Sequence, residues 1–160
     1  MKIKTILVPL DGSTLADGAL APAVDLARDY GSRLVLMRAA EAHTTPMADP
    51  TKAQVEVVRS AESYLAEARD RVTRAGVAGV EVSVWYAPPA EAIVDAARMR
   101  GADLIVMSSH GRSGLGRIVL GSVAETVLRS TEVPVLLIRP GRALIDVPFT
   151  PCAAGGTARV

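Results

Sequence analysis

Ile6-Leu7-Val8-Pro9-Leu10-Asp11-Gly12-Ser13 opens the chain with consecutive apolar residues and closes them with a proline and an Asp-Gly pair. An apolar run without polar alternation suits a strand covered on both faces, the condition of a central strand in a parallel sheet. The next residues have helical spacing. Ser13 or Thr14 offers a cap, Leu15, Ala19, Val24, Leu26 and Ala27 supply apolar positions, and Gly31 is a stop. Pro22 inside that segment predicts a late start or a kink, because its ring nitrogen cannot donate to the helical ladder.

The same alternation continues along the chain. Residues 33–39 (RLVLMRA) read as a second buried strand, and 51–75 as a long charge-rich helix with Val55, Val58, Tyr64 and Leu65 at helical spacing and Gly76 as its stop. Residues 80–86 alternate as a third strand ended by Pro88-Pro89, and 90–99 form a shorter helix closed by Gly101. Residues 103–107 (DLIVM) give a fourth strand, 122–129 a helix and 135–138 a last strand. Glu62, Glu67, Arg69, Asp70 and Arg71 suit a solvated helix face, and Trp85 suits packing. Strands alternating with helices predict a single α/β domain over residues 1–140, an open and mainly parallel five-stranded sheet with helices on both faces. Residues 141–160, rich in Gly, Ala, Pro and Thr, read as a flexible tail that contains Cys152.

Composition excludes several classes. Lys plus Arg number 18 against 17 for Asp plus Glu, a net charge of +1 with no basic excess for gripping a phosphate backbone. Aromatics are only 3% of the 160 residues, so few rings are available to stack on bases, and nucleic acid is not an expected partner. At 49% apolar the chain has material for a core, drawn from Val, Ile, Leu and Ala. The single Cys152 makes no intrachain disulfide, and His43 and His110 stand too far apart in sequence to suggest a metal cluster. No apolar stretch approaches the roughly 18 residues of a membrane span, and the apolar N-terminal run stops too early for a signal peptide. The expectation is a cytoplasmic protein.

The segment from Met107 through Ser108-Ser109-His110-Gly111-Arg112 to Gly121-Ser122-Val123 leaves a buried strand, crosses a glycine-rich loop and enters a helix. Such a turn gathers unpaired backbone N–H groups beside the positive end of a helix dipole, and Arg112 and Arg117 add charge. An anion is the ligand this pattern favours, and phosphate foremost. Ser122 with Glu125 has capping-box spacing and predicts the helix start there. A Walker A loop is absent, since Ser122 holds the position of its lysine, and no G-x-G-x-x-G follows the first strand. His110 reads as a polar contact rather than a base, because no paired carboxylate is evident. Neither Ser108 nor Ser109 sits in a Gly-x-Ser-x-Gly nucleophile pattern, and no catalytic residue is assigned. Asp11 has two readings, a cap for the first helix or a ligand contact.

Taken together, Ile6-Leu7-Val8-Pro9-Leu10-Asp11-Gly12-Ser13, Ser108-Ser109-His110-Gly111, the nine residues before Gly121-Ser122, and Pro134-Val135-Leu136-Leu137-Ile138 resemble the universal stress proteins. The likeness runs from about Lys4 to Arg139. It implies strand order 3-2-1-4-5 with a switch point between strands one and four, where open α/β sheets bind ligands. In the nucleotide-binding branch the motif is Gly, two residues, Gly, nine residues, Gly, then Ser or Thr. Here Gly111, Gly121 and Ser122 match, and Ser108 stands at the first glycine position.

The resemblance further implies an ATP site. Pro9, Leu10 and Asp11 border adenine and ribose, Ala39 offers backbone groups to the adenine edge, and Met107 gives an apolar contact. Ser109, His110, Gly111 and Arg112 follow the ribose and phosphates, and Gly121, Ser122 and Val123 hold the terminal phosphates. Any Mg2+ rides on the phosphates, since the chain offers no ligand cluster of its own. Val133, Pro134, Val135, Leu136, Leu137 and Ile138 form an apolar last strand at a sheet edge, which pairing with a twofold mate covers. The implied function is an ATP-binding homodimeric sensor or regulator of the stress response, not an enzyme. A nucleotide-free dimeric interaction module is the alternative, motivated by Ser108. Slow ATP hydrolysis or nucleotidyl transfer ranks third, for want of an evident base or metal site.

Overall fold

The structure, a computed structural model, describes residues 2–41, 50–109 and 120–139. The tail 141–160 with Cys152, and the loop residues His110, Gly111, Arg112 and Arg117, lie outside the described residues. In chain order the elements are β1 Thr5–Pro9, α1 Thr14–Asp17, α2 Leu20–Tyr30, β2 Arg33–Ala39, α3 Pro50–Arg74, β3 Val80–Trp85, α4 Pro89–Met99, β4 Leu104–Ser108, α5 Ser122–Ser130 and β5 Val135–Ile138. The strands form one parallel sheet in the order β3-β2-β1-β4-β5, as the resemblance implies.

Strand periodicity of two divides the apolar residues between two layers. Ile6, Val8, Leu34, Leu36 and Val106 pack toward α2 and α3 with Ala23, Val24, Ala27, Leu65, Ala68 and Val72. Leu7, Val35, Met37, Ile105 and Met107 face α4 and α5 with Ala92, Ile93, Ala96, Ala97, Ala124 and Val127. Alanines on the helices let the backbones approach the sheet closely, so β-branched and linear side chains fill the space and few rings are needed.

The late start predicted at Pro22 is found, with a break before it: α1 ends at Asp17, and α2 begins at Leu20 with Pro22 in its first turn, where a missing N–H leaves no bond unmade. Ser13 Oγ caps α1 by accepting the Ala16 N–H at 3.1 Å. On α3 the buried stripe is Ala61, Leu65, Ala68 and Val72, whereas Val55 is half exposed, because the small alanines hold the seam. The capping box at α5 is absent. Gly121 occupies the N-cap and offers no side chain, while the Glu125 carboxylate accepts from Arg129 Nη2 at 2.8 Å one turn later.

Asp103, just before β4, accepts the Lys4 and Thr5 N–H groups on Oδ2 at 2.8 and 3.0 Å and pins the start of β1. These two bonds, the Lys4 one foremost, hold its carboxyl below the usual range. A carboxyl more acidic in the native state than unfolded stabilises the fold while ionised, and the contribution is lost as pH falls through its lowered native value. Asp103→Asn is therefore expected to lower stability at neutral pH and to flatten the acid limb of the stability curve. Urea titrations between about pH 3 and 7 read both effects.

Candidate functional site

β1 and β4 are neighbours in the sheet, yet the chain leaves them toward opposite layers, into α1 on one side and α5 on the other. The crevice opened there holds a cavity of about 350 Å³ at the carboxyl ends of the strands. Strand ends supply Pro9, Leu10, Asp11, Met37, Arg38, Ala39, Met107 and Ser108 to its wall. Glu41 lies just past β2, and helices add Ala16 from α1, Val57 from α3, Pro89 and Ile93 from α4, and Val123 and Ala124 from α5.

The residues singled out from sequence thus separate into groups. Pro9, Leu10, Asp11, Ala39, Met107, Ser108 and Val123 line this one cavity. Ser109, Gly121 and Ser122 are described but are not part of its wall. The Ser109 N–H donates to the Ile138 carbonyl at 2.9 Å, and its hydroxyl lies 3.4 Å from the same oxygen, so its polar groups serve the β4–β5 pairing. Gly121 and Ser122 form the beginning of α5, immediately before Val123. His110, Gly111 and Arg112 fall outside the described residues.

Two polar features define the chemistry of the wall. Ser108 is 8% exposed, and its Oγ has no hydrogen-bond partner among the described residues. A buried hydroxyl left unpaired costs about 1–3 kcal/mol, so a polar group that reaches it gains a bond. The second feature is the turn after β1. Asp11 Oδ1 accepts the Ser13 N–H at 2.8 Å, and Gly12 adopts φ +86, a conformation that favours glycine. An added Cβ at Gly12 would lie 3.1 Å from Arg38 Nη1, so the turn is wrapped directly against that guanidinium.

Arg38 in turn stands over the ring of Tyr64 on α3, 5.3 Å from its centroid. The Tyr64 hydroxyl donates to the Asp17 carboxylate, which also accepts from Arg71 Nη1 at 2.9 Å. Burial, then the Asp17 bond, pushes the Tyr64 phenol well above its ordinary range, so it remains a donor at physiological pH. Among the described residues no group of three or more His, Cys, Asp and Glu side chains could hold a metal.

Sequence reading misses Arg38, Glu41, Val57 and the α4 contribution of Pro89 and Ile93. Arg38 has a signal, because it immediately precedes Ala39 at the end of the same strand. The helical residues have none, since their place in the wall depends on how α3 and α4 dock on the sheet.

The model of the universal stress protein family matches residues 2–139. A Thermus aquaticus relative, "Universal stress protein in QAH/OAS sulfhydrylase 3'region", is 36% identical over 138 residues, covering 85% of this chain and 98% of its own. Universal stress protein YxiE of Bacillus subtilis is 32% identical over 149 residues, covering 84% and 97%. Among solved structures, a universal stress protein family member from Burkholderia pseudomallei is 38% identical with a TM-score of 0.70, over 86% of this chain and 96% of that one. A universal stress protein in complex with cAMP is 27% identical with a TM-score of 0.68, over 86% and 98%. No helix among the described residues is long and apolar enough to cross a membrane.

Proposed function

From the premise that this chain belongs to the universal stress protein family, we propose that it is a cytoplasmic adenine-nucleotide-binding regulator that works as a homodimer and takes ATP. The observation that carries the nucleotide reading is the cavity at the β1/β4 switch point, with one largely apolar side and a buried Ser108 hydroxyl that has no partner among the described residues. Its volume of about 350 Å³ lies within the range of small-molecule sites. Met37, Ala39, Ile93 and Met107 offer a base the apolar contact it needs, and a hydroxyl without a partner gains one when a polar ligand atom arrives. The similar structure in complex with cAMP supports the adenine class.

In this reading Asp11 and Ser108 flank the ribose, and the phosphates run toward the start of α5. There the first-turn N–H groups of Gly121, Ser122 and Val123 favour negative charge. His110, Gly111 and Arg112 belong to the same proposed path. Mg2+ travels on the phosphates, and bound ATP supplies polyanionic charge that the loop and helix terminus meet. The role is binding and signalling rather than turnover. The alternative, a nucleotide-free dimeric module, draws on one observation, the Ser108 side chain at the position of a motif glycine.

Ser108→Ala separates these readings. It is expected to weaken ATP binding about 3- to 10-fold, the worth of one net hydrogen bond, while raising the melting temperature of the empty protein by roughly 2–4 °C. Calorimetric titration and thermal melts read the two effects. A protein that copurifies with no nucleotide by mass spectrometry and shows no ATP-induced shift in melting is the dimeric module instead.

A further inference from the structure

Asp17 ties one side of the cavity to α3 from behind. The segment between Gly12 and Gly18 holds α1, a single turn of helix, and a turn of that length is not stable by itself. Among the described side chains of the segment only Ala16 is buried, while Gly12, Thr14 and Gly18 are exposed. Yet this stretch of chain, with Leu10 and Asp11 before it and Ala16 within it, forms one side of the cavity. Few buried apolar groups, with a glycine at either end, mark a segment that opens locally.

Two contacts hold the segment, and both converge on Tyr64. At its start the Gly12 turn closes against the Arg38 guanidinium, which lies over the Tyr64 ring 5.3 Å from its centroid. At its end Asp17, the last residue of α1, accepts from the Tyr64 hydroxyl and from Arg71 Nη1, the latter at 2.9 Å. Tyr64 and Arg71 stand two turns apart on α3 and so share one of its faces. The Asp17 side chain is only 27% exposed, so these charge-assisted bonds are less screened than those of a surface pair. None of Asp17, Tyr64 and Arg71 lies in the cavity wall, and what they do to a ligand passes through the segment they hold. We propose that this cluster is a latch on the cavity wall: closed, it keeps Leu10, Asp11 and Ala16 against the ligand, and its opening sets how fast the ligand leaves. Asp17, Tyr64 and Arg71 are positioning residues, and their control of release rests on the nucleotide reading of this cavity.

Hydrogen exchange on the empty full chain reads the latch, and release of a fluorescent adenine nucleotide chased by excess ATP reads its consequence. Tyr64→Phe keeps the ring beneath Arg38 and removes the hydroxyl. It is expected to speed exchange of the amides of residues 13–19 about 10-fold with β1 and α4 unchanged, and to raise the release rate about 5- to 10-fold without slowing association. Arg71→Gln, at a half-exposed position, is expected to raise release about 2- to 3-fold. Asp17→Ala removes both bonds, and adding Tyr64→Phe to it is expected to change release no further, because the two residues share one bond. Tyr64→Phe and Arg71→Gln leave most of the packing in place and suffice where Asp17→Ala melts too low to measure. Exchange that quickens evenly over the whole chain means a general loss of stability, and local quickening with unchanged release means that this wall does not gate the ligand; either overturns the latch while sparing the nucleotide reading. A wild-type protein that binds no adenine nucleotide overturns both.

Discussion

Ala39→Trp is expected to weaken adenine-nucleotide binding by about 100-fold or more while shifting the melting temperature by no more than a few degrees. Ala39 ends β2, pairs in register with Trp85 of β3, and stands in the cavity wall on the side that packs with Met37 and Ile93. Its side chain is half-buried rather than enclosed, so an indole there enters the cavity and does not have to displace the core. The cavity measures about 350 Å³, and a bulky ring at its apolar end takes the space assigned to the base. Losing the base contacts forfeits several kcal/mol, and each 1.4 kcal/mol is about tenfold in affinity. Stability responds far less, since the overpacking penalty of about 1–3 kcal/mol applies to closed cores and is relieved where the side chain borders open space. Titration of ATP and adenosine with circular dichroism melts on the same samples reads both quantities. Ala39→Trp protein that melts like wild type and still binds ATP at full strength places the ligand elsewhere.

Much of the fold is legible in the residues. Ile6-Leu7-Val8, Leu34 to Met37 and Leu104 to Met107 are continuous apolar runs, and burial on both faces follows from that alone. Pro9, Ala39 and Met107, which the resemblance implies as site residues, stand at strand ends and line the cavity. The capping at α5 is misread because Ser122 and Glu125 have the spacing of a box, yet the backbone enters its helical conformation one residue earlier than a Ser122 cap requires. On α3 the pattern of large apolar residues points to Val55, whereas close approach to the sheet selects alanine, a residue that periodicity weighs lightly. The contacts of Arg38 are hidden for a different reason: Gly12, Tyr64 and Asp17 lie on other segments, and no local window contains them.

In the proposed homodimer, with β5 as its interface, Leu136→Lys is expected to turn a dimer at micromolar concentration into a monomer, with association weakened on the order of 30-fold or more. The sheet has two outer strands, and their chemistry differs. β3 carries Glu81, which accepts from Arg33 Nη1 at 2.8 Å and from Arg100 Nη1 at 3.4 Å, and charge at an edge discourages pairing with another chain. β5 is Val135-Leu136-Leu137-Ile138, uncharged throughout, with Leu136 37% exposed beyond β4 and Leu128 of α5 also exposed. An apolar, unguarded edge is the one that gains from a twofold mate, and in such a contact the same residue occurs on both sides. A lysine at position 136 therefore enters the interface twice, removing apolar burial from each protomer and placing like charges near the axis. Because Leu136 is already partly exposed, the isolated subunit is expected to keep its fold, seen as an unchanged far-ultraviolet spectrum. Val82→Lys makes the same change at an exposed position of β3 and is expected to leave the dimer intact. Analytical ultracentrifugation of the three proteins decides the matter: a wild-type monomer, or a dimer lost with Val82→Lys and kept with Leu136→Lys, removes β5 as the interface.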